Sequence, residues 1–260
     1  MKVISFNANG IRSAARKGFF EWLHLQRADF VCIQETKAQI AQLATDPLYF
    51  PEEFHCEYSD AEKKGYSGVA IYARKKPLQV VRQIGFDFCD REGRYLQFDY
   101  ADVSVVSLYL PSGTSGQERQ DVKYEFLDYF ACHLQQLKNS GRDLIICGDY
   151  NIAHKTIDIK NWRGNQKNSG FLPEERAWMD NLFGSLGFFD AFRVKNQEES
   201  QYTWWSNRGR AWENNVGWRI DYQVVTPGLA KQVAAVSIHR EPRFSDHAPL
   251  SIDYLGAWCD

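Results

Sequence analysis

The sequence predicts an α/β fold in which two β-sheets pack face to face and helices cover their outer sides. Short apolar runs recur along the chain: Val3–Phe6, Phe30–Ile33, Val69–Tyr72, Tyr95–Phe98, Val103–Leu110, Leu144–Cys147, Ile220–Val225, Val233–Ile238 and Leu250–Tyr254. Their lengths and β-branched content suit strands rather than helices. Several are apolar on both faces, as expected for strands buried between layers.

Taken in order, Val3–Phe6 opens the chain and runs into Asn7 and Asn9. Residues 13–27 form a helical candidate around Phe20 and Leu23, followed by the strand Phe30–Ile33. A long connection, 36–65, precedes Val69–Tyr72, and a second spans 154–170; long loops in compact domains are often functional. In 117–139, Val122, Phe126, Leu127, Phe130, Leu134 and Leu137 make one stripe at helical spacing. Ser115, three residues before Glu118, reads as a capping box, and Gly141 lies just past the helix end. The stretch LPEERAWMDNLFGSLG opens with Pro173 and acids, the chemistry favoured in a first helical turn. Met179, Leu182, Phe183 and Leu186 continue it as a buried stripe.

With 260 residues, 44% of them hydrophobic, the chain can build a substantial core and is not disordered. A formal net charge of −2 argues against gripping nucleic acid with the whole surface, but leaves room for a local basic groove. Six cysteines, at 32, 56, 89, 132, 147 and 259, include no Cys-x-x-Cys pair and no metal-spaced His. Cys32 and Cys147 sit in strand-like runs, where free thiols act as small hydrophobes. A reducing compartment and no zinc are expected. The opening MKVISFNANG lacks the apolar stretch of a signal peptide. No run approaches the ~18 apolar residues of a membrane span, and a cytoplasmic location is expected.

Polar residues gather where apolar strands end. Asn7 and Asn9 follow the first strand, Gln34 and Glu35 the second, and Asp149 and Asn151 close DLIICGDYN. Tyr109 precedes the break at Pro111, Asp221 interrupts WRIDYQVV, and Asp246 and His247 stand at the mouth of the last strand. Taken singly, such an Asp or Asn is a turn former or cap, and such a Tyr belongs to the core. Taken together, they are too many to bury unless they pair or bind a charged ligand. The sequence has no Gly-x-Ser-x-Gly elbow and no Walker loop, which argues against acyl transfer and nucleotide-driven phosphoryl transfer. Carboxylates and amides without paired His or Cys prefer a hard cation such as Mg²⁺. With a His and a Tyr, that set suits hydrolysis of a phosphate ester.

The motifs QETK (34–37), LYLPSG (108–113), GDYNIAH (148–154), GWRIDY (217–222) and SDHAPL (245–250), in this order, resemble those of the exonuclease III family of abasic-site DNA endonucleases. That family lies within the endonuclease/exonuclease/phosphatase superfamily. The resemblance implies a four-layered α-β-β-α sandwich with two packed mixed β-sheets, forming one catalytic domain over 1–260. It implies a monomer that uses Mg²⁺, with Mn²⁺ as a substitute, to cut duplex DNA 5′ to abasic sites in base excision repair. Trimming of 3′-blocked ends, as an exonuclease, phosphodiesterase or phosphatase, is implied as a companion activity. On matching positions, Glu35 would bind the metal, with Asn7 and Asp246 completing the metal-side network. Asp149 would orient or deprotonate the attacking water, and Asn151 would hold that water and a phosphate oxygen. Asp221 would orient His247, which would contact a phosphate oxygen, and Tyr109 would stand at the scissile phosphate. Position 9 is Asn where some relatives carry Asp; Asn9 is therefore read as an auxiliary contact, which puts a second metal site in doubt.

The resemblance places DNA on the loops around the site. IKNWRGNQKNSG (159–170) supplies Lys160, Trp162, Arg163 and Lys167, and NRGRAWENN (207–215) supplies Arg208, Arg210 and Trp212. Arg12, Arg16 and Lys17 lie beyond the first strand. Cations of this kind contact phosphates without reading sequence, and aromatics wedge or stack at a lesion. Trp204 and Trp218 are candidates to wall an extruded abasic sugar, whereas Trp205 and His154 read as structural. Two other readings stay open: a related phosphodiesterase acting on 3′-blocked DNA ends, RNA, phospholipids or inositol phosphates, and a catalytically silent DNA-damage binding module. The tryptophan-bearing VGWRIDY speaks against the lipid reading, and the presence of Glu35, Asp149, Asp221 and His247 against the silent one.

Overall fold

The computed structural model describes residues 1–256. One sheet runs, edge to edge, through Val233–Ile238, Leu250–Tyr254, Lys2–Asn7, Phe30–Gln34, Val69–Ala73 and His55–Ser59. The other runs through Gln79–Val81, Tyr95–Asp99, Val103–Tyr109, Asp143–Asp149, Asp221–Val225 and Phe189–Asp190. Each sheet has one parallel pair, Lys2–Asn7 with Phe30–Gln34 and Val103–Tyr109 with Asp143–Asp149, and is otherwise antiparallel. Both sheets are therefore mixed, as expected.

Alternation of side chains across the pleat builds the layers. Val3, Phe30, Cys32 and Ile71 of the first sheet meet Phe98, Val105, Ile145 and Cys147 of the second in the central core. Ile4, Phe6, Val31 and Ile33 point the other way, onto Phe19, Phe20 and Leu23 of the outer helices. On the far side, Val106, Leu108, Ile146 and Val224 receive Phe126, Phe130 and Leu134 of helix Gln117–Asn139, with Met179 and Leu182 of helix Pro173–Phe183. This is the α-β-β-α order.

Every run read as a strand is one, within a residue or two at its ends. The differences lie elsewhere. The candidate helix 13–27 is two helices, Ile11–Arg16 and Phe19–Gln26, broken at Gly18, whose φ of 84° is left-handed. The Ser115–Glu118 capping box does not form: the helix starts at Gln117, its N-cap is Gly116, and no side chain caps it. The connection 36–65 is not one loop, since it carries helix Ile40–Leu43, a 3₁₀ turn at Pro47–Tyr49 and the edge strand His55–Ser59. Gln79–Val81 and Phe189–Asp190 are edge strands too short to show a period, and Trp204–Trp205 pairs with Gly217–Trp218 as a separate small ribbon.

Two local features hold the strand ends that matter later. Gly148 lies opposite Leu108 in the parallel pair, and a Cβ there would come within 2.3 Å of the Leu108 carbonyl oxygen. The Gly before Asp149 is thus a packing requirement. Arg219, fully buried, donates from Nε to Asp158 Oδ1 at 2.8 Å and from its backbone N–H to the Asp158 carbonyl at 2.7 Å. Its Nη2 also sits 2.7 Å from Asp190 Oδ2, an ion-pair contact without hydrogen-bond alignment. Arg193 Nη2 donates to the same Asp158 Oδ1 at 2.7 Å. Burial alone would raise the Asp158 pKa, but the two guanidinium groups outweigh it and hold it at about 2. The cluster clamps the connection after Asn151 to the strand that begins at Asp221.

Gly148→Ala is expected to destabilise the protein by roughly 2 kcal/mol, the usual cost of overpacking a filled site; an unchanged urea midpoint would contradict the close approach. Asp158 stays ionised in the fold well below its ordinary value of 3.8. Its pairing therefore stabilises the fold fully above about pH 4 and is lost as pH falls toward 2, a contribution of about 2 kcal/mol. Asp158→Asn should cost ~3 kcal/mol at pH 7, because it leaves buried arginine charge under-compensated. Urea titrations should show the gap from wild type closing on acidification; a gap independent of pH would mean that the charge plays no part.

Candidate active site

Sheet register brings the polar strand ends together. Asp149 pairs with Tyr109 on one side and with Asp221 on the other. Asn7 ends its strand beside Gln34, in the facing sheet, with Glu35 next in sequence. His247 reaches the group through a bridge to Trp204. Four residues at this edge, Asn9, Glu35, Lys37 and Asn151, adopt left-handed backbone with φ between 43° and 51°. Such conformations are costly for residues other than Gly and cluster where side chains must be aimed.

Asn7 bridges the sheets. Its Nδ2 donates to Glu35 Oε1 at 2.8 Å and to Asp149 Oδ2 at 2.9 Å, while its Oδ1 accepts the Asn9 N–H at 2.9 Å. Asp149 Oδ1 accepts the Asn151 N–H at 2.8 Å, and Asn151 Nδ2 donates to the Leu110 carbonyl at 2.9 Å. His247 Nδ1 and Asp221 Oδ2 are hydrogen-bonded at 2.9 Å, leaving Nε2 at 3.9 Å from Asp149 Oδ2. The Thr203 hydroxyl accepts the Ile220 and Asp221 N–H groups, fixing the strand at that carboxylate.

The charges are tightly linked. Burial, then repulsion from Asp221, lifts the Asp149 pKa to about 7, against the pull of His247. Burial disfavours the His247 imidazolium, yet Asp221, with help from Asp149 and Asp246, raises its pKa to about 10. Burial and then Glu35 push the Tyr109 hydroxyl well above its ordinary value, so it stays protonated.

Glu35, Asp149 and His247 each offer a ligand atom, all within 4.8 Å of one another. His247, held as the imidazolium by Asp221, has no lone pair to give, so the two carboxylates are the donors, and oxygen donors fit a hard divalent cation. Asp246 is not among them. Its Oδ1 accepts from Asn9 Nδ2 at 2.8 Å and from the Ser245 hydroxyl at 3.1 Å, and its Oδ2 from Trp204 Nε1 at 3.2 Å. Asn7 likewise turns its donor amide toward the carboxylates. Asn9 Oδ1 accepts from Lys37, whose ammonium also lies 2.7 Å from Glu35 Oε2. The structure thus groups Asn7, Asn9 and Asp246 as a hydrogen-bonded frame around the two carboxylates and His247.

Above this floor opens a cavity of about 870 Å³. Trp204 and Trp218 line it, with ring centroids 6.1 Å apart and edge to face, and Lys167 and Arg208 stand at its walls. Lys160, Trp162 and Arg163 do not reach it: Lys160 and Trp162 line a smaller hollow on the other side of the loop, and Arg163 lies over the Trp162 ring at 4.5 Å. Trp212 is buried against Trp205, at 4.3 Å between centroids, and so belongs to the core. His154 is held by Asp180 at 2.8 Å and Trp205 is fully buried, as expected of structural residues.

Several lining residues gave no signal in the sequence. Arg94, buried behind Tyr109, stacks at 4.4 Å from its ring centroid and donates to its carbonyl at 3.0 Å. Tyr66 and Arg119 extend that wall, and Asn165 and Asn168 face it from the loop. Tyr66, Arg94 and Arg119 are lone polar residues outside any motif, whereas Asn165 and Asn168 lie within 159–170, where only the path of the chain shows which side chains face the cavity.

The family model for the endonuclease/exonuclease/phosphatase family matches residues 4–247. The chain is 39% identical over 254 residues to an exodeoxyribonuclease of Bacillus subtilis (strain 168), covering 97% of this chain and 98% of that protein. It is 36% identical over 254 residues to the DNA repair nuclease APEX1 of Danio rerio, covering 97% of this chain and 81% of that protein. Among solved structures, an AP endonuclease from Archaeoglobus fulgidus superposes with a TM-score of 0.88 at 28% identity, over 98% of this chain and 99% of that one. With its strand-end carboxylates, its His247–Asp221 pair and a family match spanning nearly the whole length, this chain belongs to the endonuclease/exonuclease/phosphatase family.

Proposed function

We propose that the protein is a DNA repair nuclease that hydrolyses the phosphodiester 5′ to abasic sites in duplex DNA, using Mg²⁺ or Mn²⁺, and that it also trims 3′-blocked ends. One observation carries this reading: the linked Asp221–His247–Asp149 row meets Glu35 on the floor of a cavity walled by two indoles. Apolar walls suit a sugar without its base and obstruct an intact nucleotide.

Each side chain has work consistent with its surroundings. Glu35 would hold the cation, with Asp149 beside it, and Asn7 keeps both carboxylates in place. The metal, when bound, supplies positive charge at the phosphate and at the leaving oxygen. Asp149, its carboxylate at the cavity floor, is placed to take a proton from water, and Asn151 beside it aligns that water. His247 keeps its Nδ1 proton on Asp221 and turns Nε2 to the cavity, where it can donate to a phosphate oxygen. Tyr109, protonated and braced by Arg94, donates on the leaving-group side. Lys167 and Arg208 take backbone phosphates. No helix among the described residues is long and apolar enough to cross a membrane. The free thiols of Cys32, Cys56, Cys89, Cys132 and Cys147 support a reducing, cytoplasmic setting.

A duplex carrying one abasic analogue should be cut 5′ to the lesion with Mg²⁺ and left whole with EDTA. Asp149→Asn should lower the cleavage rate by about 10³-fold while its affinity for the same duplex stays within a few-fold of wild type. Cleavage that survives EDTA would remove the metal from the mechanism. An active Asp149→Asn protein would remove Asp149 from its role, and a wild type inert on this duplex would sink the abasic-site reading.

A further inference from the structure

Behind the catalytic edge lies a fully buried ion pair, outside the cavity and made by none of the residues assigned above. Lys123, from the second turn of helix Gln117–Asn139, and Glu175, from the first turn of helix Pro173–Phe183, both have side chains with 0% exposure. Their Nζ and Oε1 atoms are 2.5 Å apart. A buried pair of this kind is weak evidence for stability, since well-packed apolar residues often do as well. Its placement calls for another explanation.

The ammonium has a second partner. Lys123 Nζ donates to the backbone carbonyl of Asn151 at 2.9 Å. Asn151 is the left-handed residue whose N–H is bound by Asp149 and whose side chain is bound to Leu110. Its φ of 51° is a left-handed conformation that Asn tolerates better than most residues, and Lys123 holds the one remaining backbone group of that residue. Glu175 reaches the other way. Its Oε2 accepts the Gly170 N–H at 2.6 Å and the Leu172 N–H at 3.0 Å, and its Oε1 accepts from Gln120 at 3.1 Å and the Ser169 hydroxyl at 3.3 Å. Gly170 in turn lies against Trp218: a Cβ there would be 3.0 Å from the indole ring. The Gly170 carbonyl also accepts the Ala153 N–H at 2.8 Å, closing the path back to the segment that carries Asn151.

We propose that Lys123 and Glu175 are positioning residues for the cleavage reaction, one fixing the backbone of Asn151 and the other tying the Trp218 side of the cavity to the same point. This rests on the nuclease reading above. The pair takes the place of water, which could satisfy the Asn151 carbonyl but could not fix its direction. A hydrogen bond to a charged, immobile donor is stronger and more directional than one to solvent. Because neither side chain faces the cavity, their loss should leave DNA binding nearly intact and slow the chemical step.

The test compares steady-state cleavage of an abasic duplex by wild type, Lys123→Met and Lys123→Arg, with circular dichroism to confirm folding. Lys123→Met should lower kcat by ~100-fold, the scale of a 1 Å misplacement of a reacting group, with KM within about threefold. Lys123→Arg restores a buried cationic donor and should recover most of that loss. If Lys123→Met does not fold, the neutral double variant Lys123→Gln/Glu175→Gln, which leaves no unpaired buried charge, is measured against the same criterion. A folded Lys123→Met or double variant with wild-type kcat would overturn the proposal. So would a Lys123→Arg protein as slow as Lys123→Met, or a loss confined to KM. Failure of the wild type to cut the duplex would instead strike the nuclease reading, so the two failures are separable.

Discussion

The site depends on one amide. Asn7 Nδ2 donates to a carboxylate of its own sheet and to one of the facing sheet, and without that contact Glu35 and Asp149 would be two unrelated acids at two strand ends. Two carboxylates brought this close repel each other, and burial adds to the cost. A neutral double donor between them relieves part of the repulsion without supplying a charge that would compete with a cation. A Lys at position 7 would neutralise the pair and an Asp would add a third acid. The amide fixes the two carboxylates at one geometry, while the Lys37 ammonium, 2.7 Å from Glu35 Oε2, supplies a positive charge beside them.

That geometry holds only if the two sheets cannot slide. Apolar packing is non-directional and sets their separation better than their register. Beneath the site the interface is therefore partly polar. Gln34 Nε2 donates to the Ser107 hydroxyl at 3.0 Å, and that hydroxyl donates to the Ile33 carbonyl at 3.1 Å. Gln223 Nε2 donates across to the Val3 and Leu250 carbonyls, at 3.0 and 3.2 Å, and its Oε1 accepts from Tyr254 at 3.0 Å. These buried bonds join central strands of both sheets. Each works only in one register, so the sheet–sheet interface carries positional information to the strand ends above it.

How much of this was legible in the sequence follows from which distances matter. Strands such as Phe30–Gln34 and Asp221–Val225 were legible because burial on both faces leaves an apolar run that no loop would carry. Asp149, Asp221, His247 and Glu35 were legible because a polar residue that ends or interrupts such a run has no cheap structural use. His55–Ser59 was not, since an edge strand with one half-exposed side, reading HCEYS, has the composition of a loop. Ser115 was misread for a related reason. Its spacing to Glu118 fits a cap, but Gly116 at φ 124° begins the helix one residue later and moves Ser115 out of reach. Lys160, Trp162 and Arg163 share a loop with Lys167, and only the path of the chain decides which of them faces the cavity.

The residues that could not be read are those that act through backbone. Lys123 belongs to the helix Gln117–Asn139, where its neighbours Val122 and Phe126 suggest an ordinary amphipathic stripe with Lys at its edge. Nothing in spacing reveals that its Nζ ends on the carbonyl of Asn151. Arg94 is alike in this respect: its guanidinium grips the carbonyl of Tyr109. Both are cations that are essentially fully buried, and both hold a main-chain oxygen in a segment bearing a polar strand end. A backbone carbonyl is the same at every position, so a sequence pattern cannot show which one a side chain will choose. What the composition does allow is the converse test. A Lys or Arg that folding takes wholly out of water needs an anion and a reason, and for Lys123 and Arg94 the carbonyl that each also holds belongs to a segment that leads into the active site.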